Sequence, residues 1–119
     1  MTEIKIKRVY QIADEKDDVR ILIDGLWPRG IKKRDAKIDL WIKEIAPSTE
    51  LRKWFNHEPE KWTEFCRKYY KELNSKGDFI QVILNYLKKH DVTLLYGAKE
   101  ERFNNAVALK NYLKQQLNL

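Results

Sequence analysis

One cysteine, Cys66, cannot close an internal disulfide, so the chain must fold without cross-links and nothing in it demands an oxidising compartment. Three prolines and four glycines are too few and too scattered for a linker or a low-complexity tract, which leaves residues 1–119 to read as a single domain. His57 and His90 lack the Cys/His spacing that zinc requires, so no metal site is implied. P-loop, GxGxxG, CxxC and GxSxG strings are missing as well, and with them any implied cofactor. No apolar run approaches the ~20 residues that span a bilayer. The opening MTEIKIKRVY alternates polar with apolar and has no core of a secretory signal. A cytoplasmic protein with no membrane partner is expected.

What the chain does contain is charge and aromatic surface. Charged residues make up 35% and apolar ones 43%, a balance that suits a folded domain rather than a disordered one. The net charge of +6 invites a polyanion as partner, so its distribution matters. Residues 1–60 carry 13 basic and 12 acidic side chains, whereas residues 61–119 carry 11 and 6. The surplus is spread over Lys68, Lys71, Lys88, Lys89, Lys110 and Lys114, a pattern more typical of solvated helix faces than of a nucleic-acid groove.

Three segments read as strands: IKIKRVY (Ile4 to Tyr10) by its period of two, and the denser VRILI (Val19 to Ile23) and VTLLY (Val92 to Tyr96). The almost purely apolar VTLLY suits a strand covered on both faces. Between the second and third strands, IDLWIKEIA (Ile38 to Ala46) looks helical and stops before Pro47. A short helix capped by Ser48 or Thr49 then carries Leu51, Trp54 and Phe55. Glu58 and Pro59 open a longer helix with Trp62, Phe65, Cys66, Tyr69, Tyr70 and Leu73 on one face. Beyond Gly77, Asp78 can cap a helix striped by Phe79, Val82, Ile83, Tyr86 and Leu87, and a last helix starts near Asn104. Strands alternating with amphipathic helices predict an α/β layered domain, a mainly parallel sheet flanked by helices in a Rossmann- or flavodoxin-like manner. If the second and last strands are parallel, Asp24 and Tyr96 end at one sheet edge, where such folds form their ligand crevices.

The two segments that follow those strands carry the unusual chemistry. DGLWPRG (Asp24 to Gly30) joins an acid able to serve as general base, a tryptophan biased toward extended backbone by Pro28, and Arg29, whose planar fork matches phosphate or carboxylate. YGAKEERFNNA offers Tyr96 for stacking, the mobile cation of Lys99, and Asn105 at the start of the last helix, whose free N–H groups favour an anion. Together they predict a catalytic candidate in Asp24 and a ligand set of Trp27, Arg29, Tyr96, Lys99 and Asn105. All but Lys99 have a structural alternative: Asp24 as a turn-forming carboxylate, Trp27 as a plug for the sheet end, Arg29 in an ion pair with Asp35, Asp39 or Glu44, Tyr96 as packing, and the asparagines as caps. His57, between two helices, reads as a cap for a C-terminal carbonyl, and Cys66 as a small core residue.

The strings DGLWPRG, LWIKEIAPSTELRKWFNHEPEKW and LLYGAKEERFNNAVAL, in that order and over nearly the whole chain, resemble the YeaO-like branch of the family called domain of unknown function 488. The resemblance implies a small cytoplasmic α/β protein of bacterial or archaeal type and brings no activity, substrate or cofactor with it. The pattern it resembles has arginine where this chain has Gly25, and histidine where this chain has Phe103. An activity built on those groups would here be weakened or converted to binding. Three functional readings follow: binding of, or action on, a phosphate-bearing, nucleotide-like small molecule at the sheet edge; a nucleic-acid-binding module using the basic helices and the DGLWPRG loop; and a protein-interaction domain without a ligand. Whether the protein is an enzyme is left open by the residues alone.

Overall fold

The computed structural model describes residues 2–118. The alternating Ile4–Arg8 forms β1 and the apolar Val19–Leu22 forms β2. A one-turn helix α1 (Lys33–Ala36) leads to a short edge strand β3 (Leu40–Trp41). The helices α2 (Thr49–Phe55), α3 (Trp62–Asn74) and α4 (Gly77–Tyr86) come next, then β4 (Val92–Tyr96) and α5 (Asn105–Leu117). All four strands are parallel, in the order β1-β4-β2-β3. Completely buried β4 lies at the centre, paired from Val92 to Tyr96 with Ile4 to Arg8 and from Val92 to Leu95 with Val19 to Leu22. The parallel α/β arrangement expected from VRILI and VTLLY is the one found.

Strand alternation sorts the core onto two faces. Ile21, Ile23, Val92, Leu94 and Tyr96 join the large cluster under α2 to α5, with Phe65, Tyr69, Leu73, Ile83 and Leu109. Leu22, Leu95 and Val9 form a smaller cluster on the other face, covered by Trp27, Ile31 and Ile38. Each fully buried Leu or Ile contributes roughly 1.5–3 kcal/mol, so the larger cluster carries most of the stability. The smaller face also buries a charge pair: Arg20 donates to Asp17 at 2.6 Å and to the carbonyls of Lys37 and Ala36, while Asp17 also accepts from Lys7. Every charge there is paired, the condition for burying one without a large penalty.

Three local expectations are corrected. Ile38 to Ala46 is not a helix but β3 followed by a 3-10 turn over Lys43–Ile45. Its apolar spacing is helical, yet the open edge of β2 wins: the Asp39 and Ile42 N–H groups donate to the Arg20 and Leu22 carbonyls, each at 2.9 Å. The fourth helical segment starts at Gly77 with Lys76 as N-cap, so Asp78 lies within its first turn rather than capping it. That helix buries Ile80, Ile83 and Leu87 and leaves Phe79, Val82 and Tyr86 partly exposed, because FIQVILNYL carries apolar residues on more than one face. Among the described residues, no helix is long and apolar enough to cross a membrane.

Candidate ligand cleft at the carboxyl edge of the sheet

Asp24 follows the end of β2, and Gly97 follows the end of its neighbour β4. Parallel pairing therefore brings the two loops face to face, and the Asp24 carboxylate joins them. One oxygen accepts from the Gly97 N–H at 2.8 Å and the other from the Asn105 side-chain amide at 2.9 Å. Gly97 suits this approach because a Cβ there would stand only 3.2 Å from the carboxylate oxygen. β1 adds a third tie, since Arg8 donates to the carbonyls of Ala98 and Gly97.

Two indoles stiffen the first loop. Trp27 donates to the Ile31 carbonyl at 2.7 Å and meets Trp41 edge-on at 5.6 Å, and Trp41 donates to the Asp24 carbonyl at 2.7 Å. Gly30, at φ +77°, closes the turn in the left-handed region that glycine enters without steric penalty. The opposite wall comes from α2. Ser48 caps it by accepting from the Leu51 N–H, and Glu72 of α3 holds Ser48 through both its N–H and its hydroxyl. At its other end, Asn56 and His57 adopt left-handed backbone in succession, φ 49° and 55°. The Asn56 N–H donates to the Arg52 carbonyl and the Glu58 N–H to that of Phe55. Backbone groups thus finish this helix, the task first assigned to the His57 side chain.

The resulting cleft, of about 410 Å³, has Phe55, Phe65 and Phe103 among its apolar lining. Phe55 lies 4.5 Å from Phe65, and Trp62 supports both Phe65 and Phe103 at 5.5 Å. Polar groups enter from Asp24, Asn104 and Asn105; exposed Arg52 and His57 stand at the mouth. Asn104 is also the cap of the last helix, accepting from the Val107 N–H at 3.0 Å, so the positive end of that helix opens on the cleft.

Of the residues singled out from sequence, Asp24, Trp27 and Asn105 line this cleft together. Arg29 and Lys99 are exposed and stand outside its lining, with the Arg29 carbonyl accepting from the Tyr10 hydroxyl. Tyr96 is 4% exposed and belongs to the main core, where burial raises its phenol above the usual range. Arg52, Phe55 and Phe65 were not singled out as site residues. The three-residue spacing of Arg52 and Phe55 puts them on one helix side, but sequence does not say that this side reaches the sheet edge. Burial pushes the Cys66 thiol up to about 11, so it carries no thiolate near neutral pH. Tyr69, fully buried, donates to the Ile45 carbonyl at 2.6 Å; burial foremost, then the Asp24 and Glu72 charges, raises its phenol well above the ordinary value.

Residues 3–119 match a family described as the inactive DUF488-N3 subclade. The chain belongs to the DUF488 family. It is 45% identical over 111 residues to the protein YeaO of Escherichia coli K12, covering 93% of this chain and 96% of that one. It is also 44% identical over 76 residues to a protein of Mycobacterium tuberculosis H37Rv and to one of Mycobacterium bovis, in each case 64% of both chains. No solved structure matches. Both departures from the DUF488 pattern noted above, Gly25 and Phe103, line the cleft. A Cβ at Gly25 would make only an ordinary contact with Ala46, at 3.6 Å, so space does not require glycine there.

Proposed function

We propose that this DUF488 protein binds a phosphate-bearing, nucleotide-like small molecule in the cleft without transforming it. The observation that carries this reading is the meeting of aromatic walls, amide groups and a cationic mouth at the carboxyl edge of a parallel sheet. Binding rather than turnover is favoured because both oxygens of Asp24, the acid–base candidate, already accept hydrogen bonds from the protein. The word inactive in the subclade's description agrees with this, as do Gly25 and Phe103 at positions where the family pattern has a cation and a proton carrier.

Calorimetry with the four common ribonucleoside monophosphates tests the reading. For about 23 non-hydrogen atoms at ~0.3 kcal/mol each, a well-fitted ligand reaches a Kd on the order of 10 µM. Phe103→Ala is expected to weaken binding at least tenfold. No binding by the wild-type protein below about 1 mM would remove the proposal. The alternative is a nucleic-acid-binding module using the basic helices and the DGLWPRG loop; on those helices Lys68 and Lys61 already stand 4.0 and 5.1 Å from the ring centre of Trp54. That alternative requires affinity to fall by ~0.7–0.9 log units per log unit of salt for each phosphate contacted.

A further inference from the structure

We infer that the cleft holds a single phosphate group, bound at its mouth by Arg52 and His57, with the ring of the ligand turned inward against Phe55 and Phe103; this rests on the binding reading above. Phe65 and Phe55, only 2–6% exposed, make one wall of the cleft apolar, and at the start of the last helix the Asp24 carboxylate already accepts from Asn105, so neither place suits an unneutralised anion. The one Arg or Lys of the lining, Arg52, and the imidazole of His57 both come from the end of α2 and are both exposed. Among the described residues neither makes a salt bridge. The one hydrogen bond of the Arg52 guanidinium is a 3.3 Å contact to the Thr49 hydroxyl, which leaves most of its donor fork open.

The backbone gives a second reason. Asn and His enter left-handed backbone more readily than most residues, yet at φ 55° His57 is still more strained than glycine would be. Such strain clusters where a side chain is held for binding. The turn carries the His57 ring to within 6.4 Å of Phe55, beside the cleft rather than away from it.

The same lining limits the ligand to a monophosphate. Nucleoside di- and triphosphates are normally carried with magnesium, which needs carboxylates alongside the phosphates. Asp24 is the one carboxylate of the lining, and protein donors occupy both its oxygens. Arg29 and Lys99, the cations that could have extended the site, lie outside it.

The test compares adenosine, adenosine monophosphate and magnesium adenosine triphosphate by calorimetry, with the other three monophosphate and nucleoside pairs run alongside. The monophosphate is expected to bind at least tenfold tighter than its nucleoside, and the triphosphate no tighter than the monophosphate. Arg52→Gln and His57→Ala should each reduce monophosphate affinity at least fivefold, leave nucleoside affinity and denaturation midpoint unchanged, and thereby separate ligand contact from helix support. Arg29→Ala and Lys99→Ala should change neither affinity. Equal affinity of nucleoside and monophosphate, or an Arg52→Gln protein that binds the monophosphate as wild type does, overturns the phosphate subsite while leaving a ring-binding cleft. A triphosphate that binds tighter than the monophosphate overturns the single-phosphate limit. Binding of none of these by the wild-type protein overturns the cleft reading itself.

Discussion

Replacing Asp24 by alanine distinguishes a carboxylate kept for chemistry from one that holds two loops together. The side chain accepts from the Gly97 N–H at 2.8 Å and the Asn105 amide at 2.9 Å, and it is half-buried. Hydrogen bonds to charged groups contribute roughly 1.5–3 kcal/mol each, and the lower end applies where water from the cleft can reach the abandoned donors. Two such bonds, taken at that lower end, give an expected loss of about 3 kcal/mol. At about 4 °C per kcal/mol for a domain of this size, Tm should fall by roughly 12 °C. Urea denaturation followed by tryptophan fluorescence reads the change directly, because Trp41 donates to the Asp24 carbonyl and Trp27 packs on Trp41. Asp24→Asn retains one acceptor and turns an amide donor toward the other partner, so it should recover less than half of the loss. A loss below about 0.5 kcal/mol for Asp24→Ala would refute the reasoning. An increase in stability would do so more pointedly, since strained functional residues often stabilise the fold when removed.

Other substitutions probe neighbouring parts of the same frame. Tyr69→Phe leaves the buried Ile45 carbonyl without its donor and should cost about 1–2 kcal/mol, measured as a shift in denaturation midpoint at constant slope. Burial alone would raise the Asp17 carboxyl, but hydrogen bonds from the Asp14 N–H, Lys7 and Arg20 outweigh it and hold the group below the ordinary 3.8. Its folded value lies under its unfolded one, so the stability it contributes is present above pH ~4 and is lost as the pH falls through the folded value. Asp17→Asn should therefore be destabilised by about 3–5 kcal/mol at pH 7 with Arg20 left unpaired, and its deficit relative to wild type should shrink in titrations below pH ~4. Gly25→Ala, where the new Cβ meets Ala46 at 3.6 Å without a positive φ, should be neutral or stabilise by up to about 1 kcal/mol in thermal melts; Gly97→Ala should destabilise by crowding the Asp24 carboxylate.

The parts of the fold that sequence reveals are those governed by short-range periodicity. VRILI and VTLLY read as buried strands, their parallel direction follows from the crossover between them, and the meeting of Asp24 with the Gly97 loop follows in turn. Asn104 as a cap was legible because its chemistry is local. Leu40 and Trp41 were not, since their strand exists only through the edge that β2 offers 19 residues earlier at Ile21 and Leu22. The candidate site shows the same division. Loop identity was legible, but side-chain direction was not: Arg29 and Lys99 stay outside the cleft and Tyr96 enters the core, while Arg52 and Phe55 come from a helix that periodicity alone does not aim at the sheet edge.

The strand order has a consequence for how the chain reaches its folded state. β1 and β2 are separated in the sheet by β4, which lies more than 80 residues after Ile4 and 70 after Val19. During synthesis neither early strand has its principal partner until the segment ending at Tyr96 has emerged, so both wait with open backbone edges. Docking of that late strand is then a long-range closure that joins both halves in one cooperative step, slow relative to helix formation. A nascent chain arrested before Val92 should remain vulnerable to protease along its first 40 residues, even where α2 and α3 have already formed.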